Sequence, residues 1–320
     1  MSLSSPPPAQ KSNTTYFLVL AGVIIIWGSS FVIVDLAEKL ASPIAIATFR
    51  WMYASMMFAL LTPIAKKRNF WDLTISLKLQ QDKRRHYPLL LVVLSIIGIS
   101  LFFPVQYTSI QLVGPSIPAL MVCLGSPVII AVISVFSFKE RLTRLQVVGF
   151  IVATLGALLI ITHGDFTQLM PASVNFTGNI LALLQPFLWA TYSILSKKAM
   201  HYGSSFQVMS YVSYLGTGGL IIVAIISGDI NTWSYDLFQP GILTAILYLA
   251  IGCSIIGYLF WDVALEHLPS ANVGAFLYVE PFITVLFAWA ILQQLIPPLS
   301  IVGGGIVILG LVLISRQGKK

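Results

Sequence analysis

Two ionisable residues of this 320-residue chain sit inside long apolar runs, Glu280 and Arg50. An ionised side chain in hydrocarbon costs about 2.5–3.5 kcal/mol or more on insertion scales, so each needs a partner or water. Glu280, followed by Pro281, offers a carboxyl for an ammonium group or a proton; it could equally satisfy backbone that the proline leaves open. Arg50 can clamp a carboxylate through two donors, pair with an acidic side chain, or reach for the interface. Polar and aromatic residues recur at helical spacing in other apolar runs. Gln185, Trp189, Tyr192 and Ser196 are separated by 4, 3 and 4 positions and share one stripe. Gln106 and Tyr107 are adjacent, Tyr258 and Trp261 are three apart, as are Tyr211 and Tyr214, and Trp27 stands in the first run. Such rings suit a cationic or zwitterionic solute. The competing reading is an interfacial aromatic belt, expected for Trp51, Trp71 and Trp233; close helix contact competes for Trp27. Asp35, Asp262 and Glu266 read as solvated residues at helix ends. Cys123 and Cys253 lack a CxxC spacing and a nearby histidine, so they read as small buried residues, with no metal site and no cofactor expected.

The elements that hold these residues must be membrane helices. Apolar residues make up 57% of the chain and charged ones 9%, against about 25% charged in soluble domains. The mean hydropathy is +0.90. Ten runs are long enough to span, at ~20 residues each: Tyr16–Val34, Pro43–Pro63, Tyr87–Ile110, Pro115–Phe138, Leu145–Thr162, Asn179–Ser196, Ser205–Ser227, Ile242–Leu265, Ser270–Leu292 and Leu299–Ser315. Residues 1–15, with Pro6-Pro7-Pro8, read as a disordered cytoplasmic tail, and 316–320 as a basic one. With the N-terminus inside and loops alternating, 16 of the 18 Lys and Arg residues fall on the cytoplasmic side. Only Lys39 falls outside, and Arg50 lies within a span. That division predicts an N-in, C-in protein. It also accounts for the net charge of +7 without nucleic acid, as a topology signal aided by anionic lipid.

The chain repeats itself. A shift of 154 places Pro115-Ser116 on Pro269-Ser270, Pro127 on Pro281, Gly149 on Gly303 and Gly156 on Gly310; a shift of 162 places Trp27 on Trp189 and Ala37 on Ala199. The expected fold is therefore an all-α membrane protein of ten transmembrane helices in two inverted five-helix repeats, residues 16–162 and 177–315. Five is odd, so the second unit enters from the opposite side, and Asp35 has Lys197 as its counterpart. Inverted repeats with a midplane site between them are a transporter plan.

The order of Trp27-Gly28-Ser29-Ser30, Arg50, Pro127, Lys139-Glu140-Arg141-Leu142-Thr143, Gly149, Glu280-Pro281 and Gly303 resembles the EamA branch of the drug/metabolite transporter superfamily, over about Tyr16 to Ser315. Gln294 stands where that family often has Glu. The resemblance implies a ten-helix carrier exporting amino acids or related metabolites across a prokaryotic cytoplasmic membrane; the branch also holds importers and exchangers.

Substrate contact is thus expected from Glu280, Gln185, Trp189, Tyr192, Gln106, Tyr107, Tyr258, Trp27 and Arg50, with a proton as a coupling partner. Pro127 and Pro281 are expected to let their helices bend as gates. Gly149 and Gly156, like Gly303 and Gly310, are seven apart and make smooth stripes for helix packing or a dimer face, so monomer and homodimer both stay open. A choline-like amine importer fits Glu280 and the aromatics. An organic-phosphate or nucleotide-sugar exchanger needs more cations than Arg50 supplies. No Walker A sequence occurs, against an ATP-driven pump; from other classes an intramembrane enzyme, for which neither HExxH nor a Ser/His pair inside the spans is found, and a channel, for which no repeated filter loop is found, stay as alternatives.

Overall fold

A computed structural model describes residues 13–67, 86–114, 116–162, 176–293, 295 and 298–315. Among them every regular element is helical. The helices are α1 Asn13–Ala37, α2 Pro43–Lys67, α3 Tyr87–Val113, α4 Ser116–Phe138, α5 Arg144–Thr162, α6 Phe176–Ala199, α7 Ser205–Ile226, α8 Pro240–His267, α9 Ser270–Ile291 and α10 Pro298–Ser315. Among the described residues nine of these are long and apolar enough to cross a membrane; the apolar part of α5, Arg144–Ile160, is shorter. Large apolar side chains face outward along them, such as Leu18, Leu60, Phe136, Ile226 and Ile301. Lipid, not water, is the solvent for such a surface. This is a multi-pass integral membrane protein.

Two sequence expectations shift. Helix α1 already begins at Asn13, inside the segment expected as a tail; residues 1–12, 316–320 and Trp71 lie outside the described residues. Three spans also change pitch midway. In α3, Ile96–Leu101 forms a π-helical turn. Pro104 follows it and has no N–H for the carbonyl of Ser100, which slackens the ladder there. In α8, Leu249–Gly257 is π-helical. In α9, Phe276–Val279 is 3₁₀ and the α-helix resumes at Glu280 with Pro281 in its first turn, where the missing N–H costs no bond. Pro127, its mate in the 154-residue alignment, sits inside an unbroken α4, so the two prolines do not share a local geometry.

Glycines set two close approaches. Gly149 and Gly156 of α5 meet Gly310 and Gly303 of α10 back to back, and a Cβ at Gly156 would stand 2.7 Å from the Val307 nitrogen. The stripes are filled by each other within the chain. The second approach is Gly28, whose Cβ would meet Ile283 and the Glu280 carbonyl of α9. Thr284 Oγ1 donates across that contact to the Gly28 carbonyl at 2.9 Å.

Candidate functional site

The chemistry-bearing residues converge between the helices. A cavity of about 40 Å³ is walled by Trp27, Ser30 and Phe31 of α1, Arg50 of α2, Phe102, Phe103 and Gln106 of α3, Val122 of α4, Trp189 of α6, Tyr258 of α8, and Leu277 and Glu280 of α9. Six of the nine expected contact residues are on its wall: Glu280, Trp189, Gln106, Tyr258, Trp27 and Arg50. Tyr107 and Tyr192 stand behind that wall. Gln185 is buried with no hydrogen-bond partner for either side-chain polar atom, and the structure does not bring it to the cavity.

Arg50 is 4% exposed. Its Nε donates to Ser254 Oγ at 2.7 Å and its Nη1 to the Tyr107 hydroxyl at 2.6 Å. The guanidinium lies 4.5 Å from the Phe103 ring centroid. These contacts, both to neutral hydroxyls, orient the cation without neutralising it. Glu280, also 4% exposed, accepts among the described residues a weak bond from Cys123 Sγ at 3.4 Å and no other. The ion pairs among the described residues are Lys39–Asp35 and Lys197–Glu140, so Arg50 and Glu280 share a cavity without pairing.

An aromatic cluster closes the cavity on one side. Trp189 packs edge-on to Trp27 and Tyr258 at 5.1 and 5.4 Å and stacks on Tyr192 at 5.4 Å. Trp27 Nε1 donates to the Cys253 carbonyl at 3.1 Å, in the widened turn of α8. Gly98, in the widened turn of α3, leaves room for the Tyr192 ring, and its carbonyl accepts from the Tyr258 hydroxyl at 3.4 Å. Both π-helical turns therefore serve as seats for cavity aromatics.

Beyond the cluster lies the end of the bundle where Lys66, Lys67, Lys139, Lys197 and Lys198 gather, here the basic end. Lys197 Nζ bonds Glu140 Oε1, the Leu268 carbonyl and Ser270 Oγ, each at 3.0 Å. Glu140 also accepts from the Ser270 backbone N–H at 3.0 Å. Burial alone would raise the Glu140 carboxyl, but Lys197 and the Ser270 N–H outweigh it and hold it below its ordinary range. The network ties the α4–α5 loop, α6 and the α8–α9 turn together.

Two residues are corrected. Trp51, expected at the interface, is fully buried against Phe103 and Tyr258. Asp262, expected to be solvated, is 0% exposed, because α8 runs on to His267 and leaves it inside the helix. Sequence reasoning also passed over Phe102, Phe103 and Ser254. The Arg50 partner on α8 has no local signal, since it depends on how two distant helices meet.

The comparisons with known proteins follow the same outline. A model described as the EamA-like transporter family matches residues 14–162 and again 176–316. The chain belongs to this family. The family is one of transporters, not enzymes, within the drug/metabolite transporter superfamily. An uncharacterized transporter of Archaeoglobus fulgidus is 27% identical over 305 residues, covering 95% of this chain and 99% of the relative. A relative from Escherichia coli, named "Probable amino-acid metabolite efflux pump", is 23% identical and covers 90% of this chain and 91% of its own length. A solved protein structure shares the fold with a TM-score of 0.72 at 16% identity, covering 95% of this chain and 97% of that one.

Proposed function

We propose that this EamA-like transporter is a secondary carrier that exports amino acids or related zwitterionic or cationic solutes by alternating access. One observation carries the reading: Arg50 and Glu280 bring a guanidinium and a carboxyl to one buried aromatic cavity without pairing with each other. A zwitterion matches both, its carboxylate at the guanidinium and its ammonium at the carboxylate, with rings of Trp27, Trp189 and Tyr258 around the cation. The name of the Escherichia coli relative supports this class. So does that of a Streptantibioticus cattleyicolor relative, "Probable terminal-alkyne amino-acid exporter", 26% identical over 60% of this chain and 61% of its own.

The frame proposed with it is ten spans in two inverted five-helix units, 16–162 and 177–315, with both termini cytoplasmic. Supporting it are the double family match and the two π-helical turns, whose Gly98 and Gly252 differ by 252 − 98 = 154, the repeat shift. The charge division supports the orientation. Pro127 and Pro281 as bending points, and a coupling proton, belong to the same proposal.

The test is counterflow in proteoliposomes with labelled amino acids and amines. Saturable, stereoselective exchange is expected, falling at least ~10-fold in Glu280→Gln and in Arg50→Met, each of which removes one charge that binds the solute. Equal flux of unrelated ions would replace the carrier with a channel. The second reading, a choline-like amine importer, is favoured by the aromatic wall; it predicts uptake of methylated amines that Arg50→Met leaves intact.

A further inference from the structure

Asp262 is a fully buried carboxyl beneath the aromatic cluster, on the basic-end side of the cavity. It accepts from Ser196 Oγ at 2.8 Å and from the Tyr192 hydroxyl at 3.4 Å, so it joins α8 to α6. It is not ion-paired: the acidic residues paired among the described residues are Asp35 and Glu140. The titratable and charged groups around it can be named helix by helix. From α6 come Tyr192 and, next in sequence to Ser196, Lys197, whose Nζ is held by Glu140. On α8 itself are Tyr258, Glu266 and, at the helix end, His267. Helix α1 has no ionisable side chain between Tyr16 and Trp27, and Tyr16 stacks on His267 at 4.5 Å. Helix α7 has none between Ser205 and Met209, and α9 has none from Ser270 to Leu277, with Tyr278 and Glu280 beyond. An ionised carboxylate in a dry site needs a cation, and none reaches this one.

We propose that Asp262 is a proton-binding site of this carrier, separate from the solute cavity, occupied while the basic end is closed and emptied toward that end when α6 and α8 part. It rests on the carrier reading given above. The step is an O–H bond formed on a carboxylate oxygen of Asp262 with a proton from hydronium, and broken again when water accepts the proton. Closure removes water, leaving the neutral acid between two hydroxyls. Opening admits water, which stabilises the carboxylate and lets the proton go. Glu266 lies one turn nearer the basic end, half-buried, with its Oε2 accepting from Ser205 Oγ at 3.0 Å. It offers a way station between Asp262 and solvent. The position 154 residues earlier holds Thr108, so the site exists in one half of the chain only.

Infrared titration of the purified chain in lipid nanodiscs, with no solute, tests the site directly. A protonated-carboxyl carbonyl band is expected to persist at neutral pH and to lose one component in Asp262→Asn, distinct from the component lost in Glu280→Gln. Ser196→Ala removes a donor to the ionised form and should raise the midpoint of that component by about one pH unit. It serves as the independent variant if Asp262→Asn folds poorly. A neutral-pH band that Asp262→Asn leaves unchanged, or a midpoint that Ser196→Ala does not move, overturns the site. In proteoliposomes, acidification driven by an L-amino-acid gradient should fall at least ~10-fold in Asp262→Asn while labelled amino-acid counterflow persists; wild-type proton flux in that variant overturns the coupling. If the wild-type chain moves no amino acid, the solute reading fails, and the infrared titration still decides the site.

Discussion

The two ends of the bundle hold their charges differently. At the basic end Lys197 reaches across to Glu140, and both also bond Ser270, so one ion pair spans three segments. Its two side chains are 14% and 16% exposed. At the opposite end Asp35, the counterpart of Lys197, pairs with Lys39 one turn along at 3.5 Å, with Lys39 63% exposed. A local, solvated pair fastens nothing to a neighbouring helix, whereas a half-buried pair across helices does. The cavity occupies the middle and the less fastened half, and the aromatic cluster, Asp262 and the Lys197 network fill the other. The comparison teaches that one end of the bundle is fastened by an ion pair between segments, while the charges of the other end are paired within a single turn.

Breaking the basic-end network should have the largest effect. Lys197→Met leaves Glu140 half-buried without its cation, which costs closure roughly 2–3 kcal/mol, or ~30- to 150-fold in the closed population. A Ser193→Cys reporter, at a position fully buried in the closed bundle, should then react with a polar thiol reagent from the basic end. Unchanged labelling would show that the ion pair does not hold this end shut. Acid should do the same more gently. The Glu140 carboxyl is held below its ordinary value, so its contribution is complete at neutral pH and is lost as pH falls through that lowered value. Labelling of the reporter should rise only in acid, and Glu140→Gln should remove the pH dependence.

The other end responds in the opposite direction. Glu38, just past α1, is pushed up to about 8 by burial and by Asp35, and its Oε1 has no partner. A carboxyl raised in this way costs stability as pH climbs from its ordinary value, with the cost complete above about 8. Thermal stability should therefore decline across that range in the wild-type chain and decline less in Glu38→Gln; parallel profiles would refute it. The smallest effect is expected from Lys39→Ala, within about 0.5 kcal/mol, because its partner is one exposed turn away. A loss in melting temperature comparable to that of Lys197→Met would erase the contrast between the ends.

Much of the frame was legible in the chain because hydrophobicity, proline and glycine act locally. Apolar runs mark spans whichever way they pack, and the glycine spacing in α5 and α10 foretold smooth faces. Six cavity residues could be picked out because an ionisable or polar group in an apolar run is costly wherever the run ends up. The misjudged residues failed for a shared reason. Trp51 and Asp262 were placed by their distance from a helix end, and their burial depends on which other helices cover that level of the bundle.

By itself, then, the sequence determined a multi-pass helical membrane protein and a short list of polar residues inside the spans, since each follows from the free energy of a side chain in lipid. The tertiary structure alone decided that Arg50 rests on Ser254 and Tyr107, that Glu280 stands unpaired across the same cavity, and that Asp262 is sealed below it. Those facts depend on contacts between helices up to 204 positions apart, as for Arg50 and Ser254. No local rule encodes such contacts, because they are set by the packing of the whole bundle.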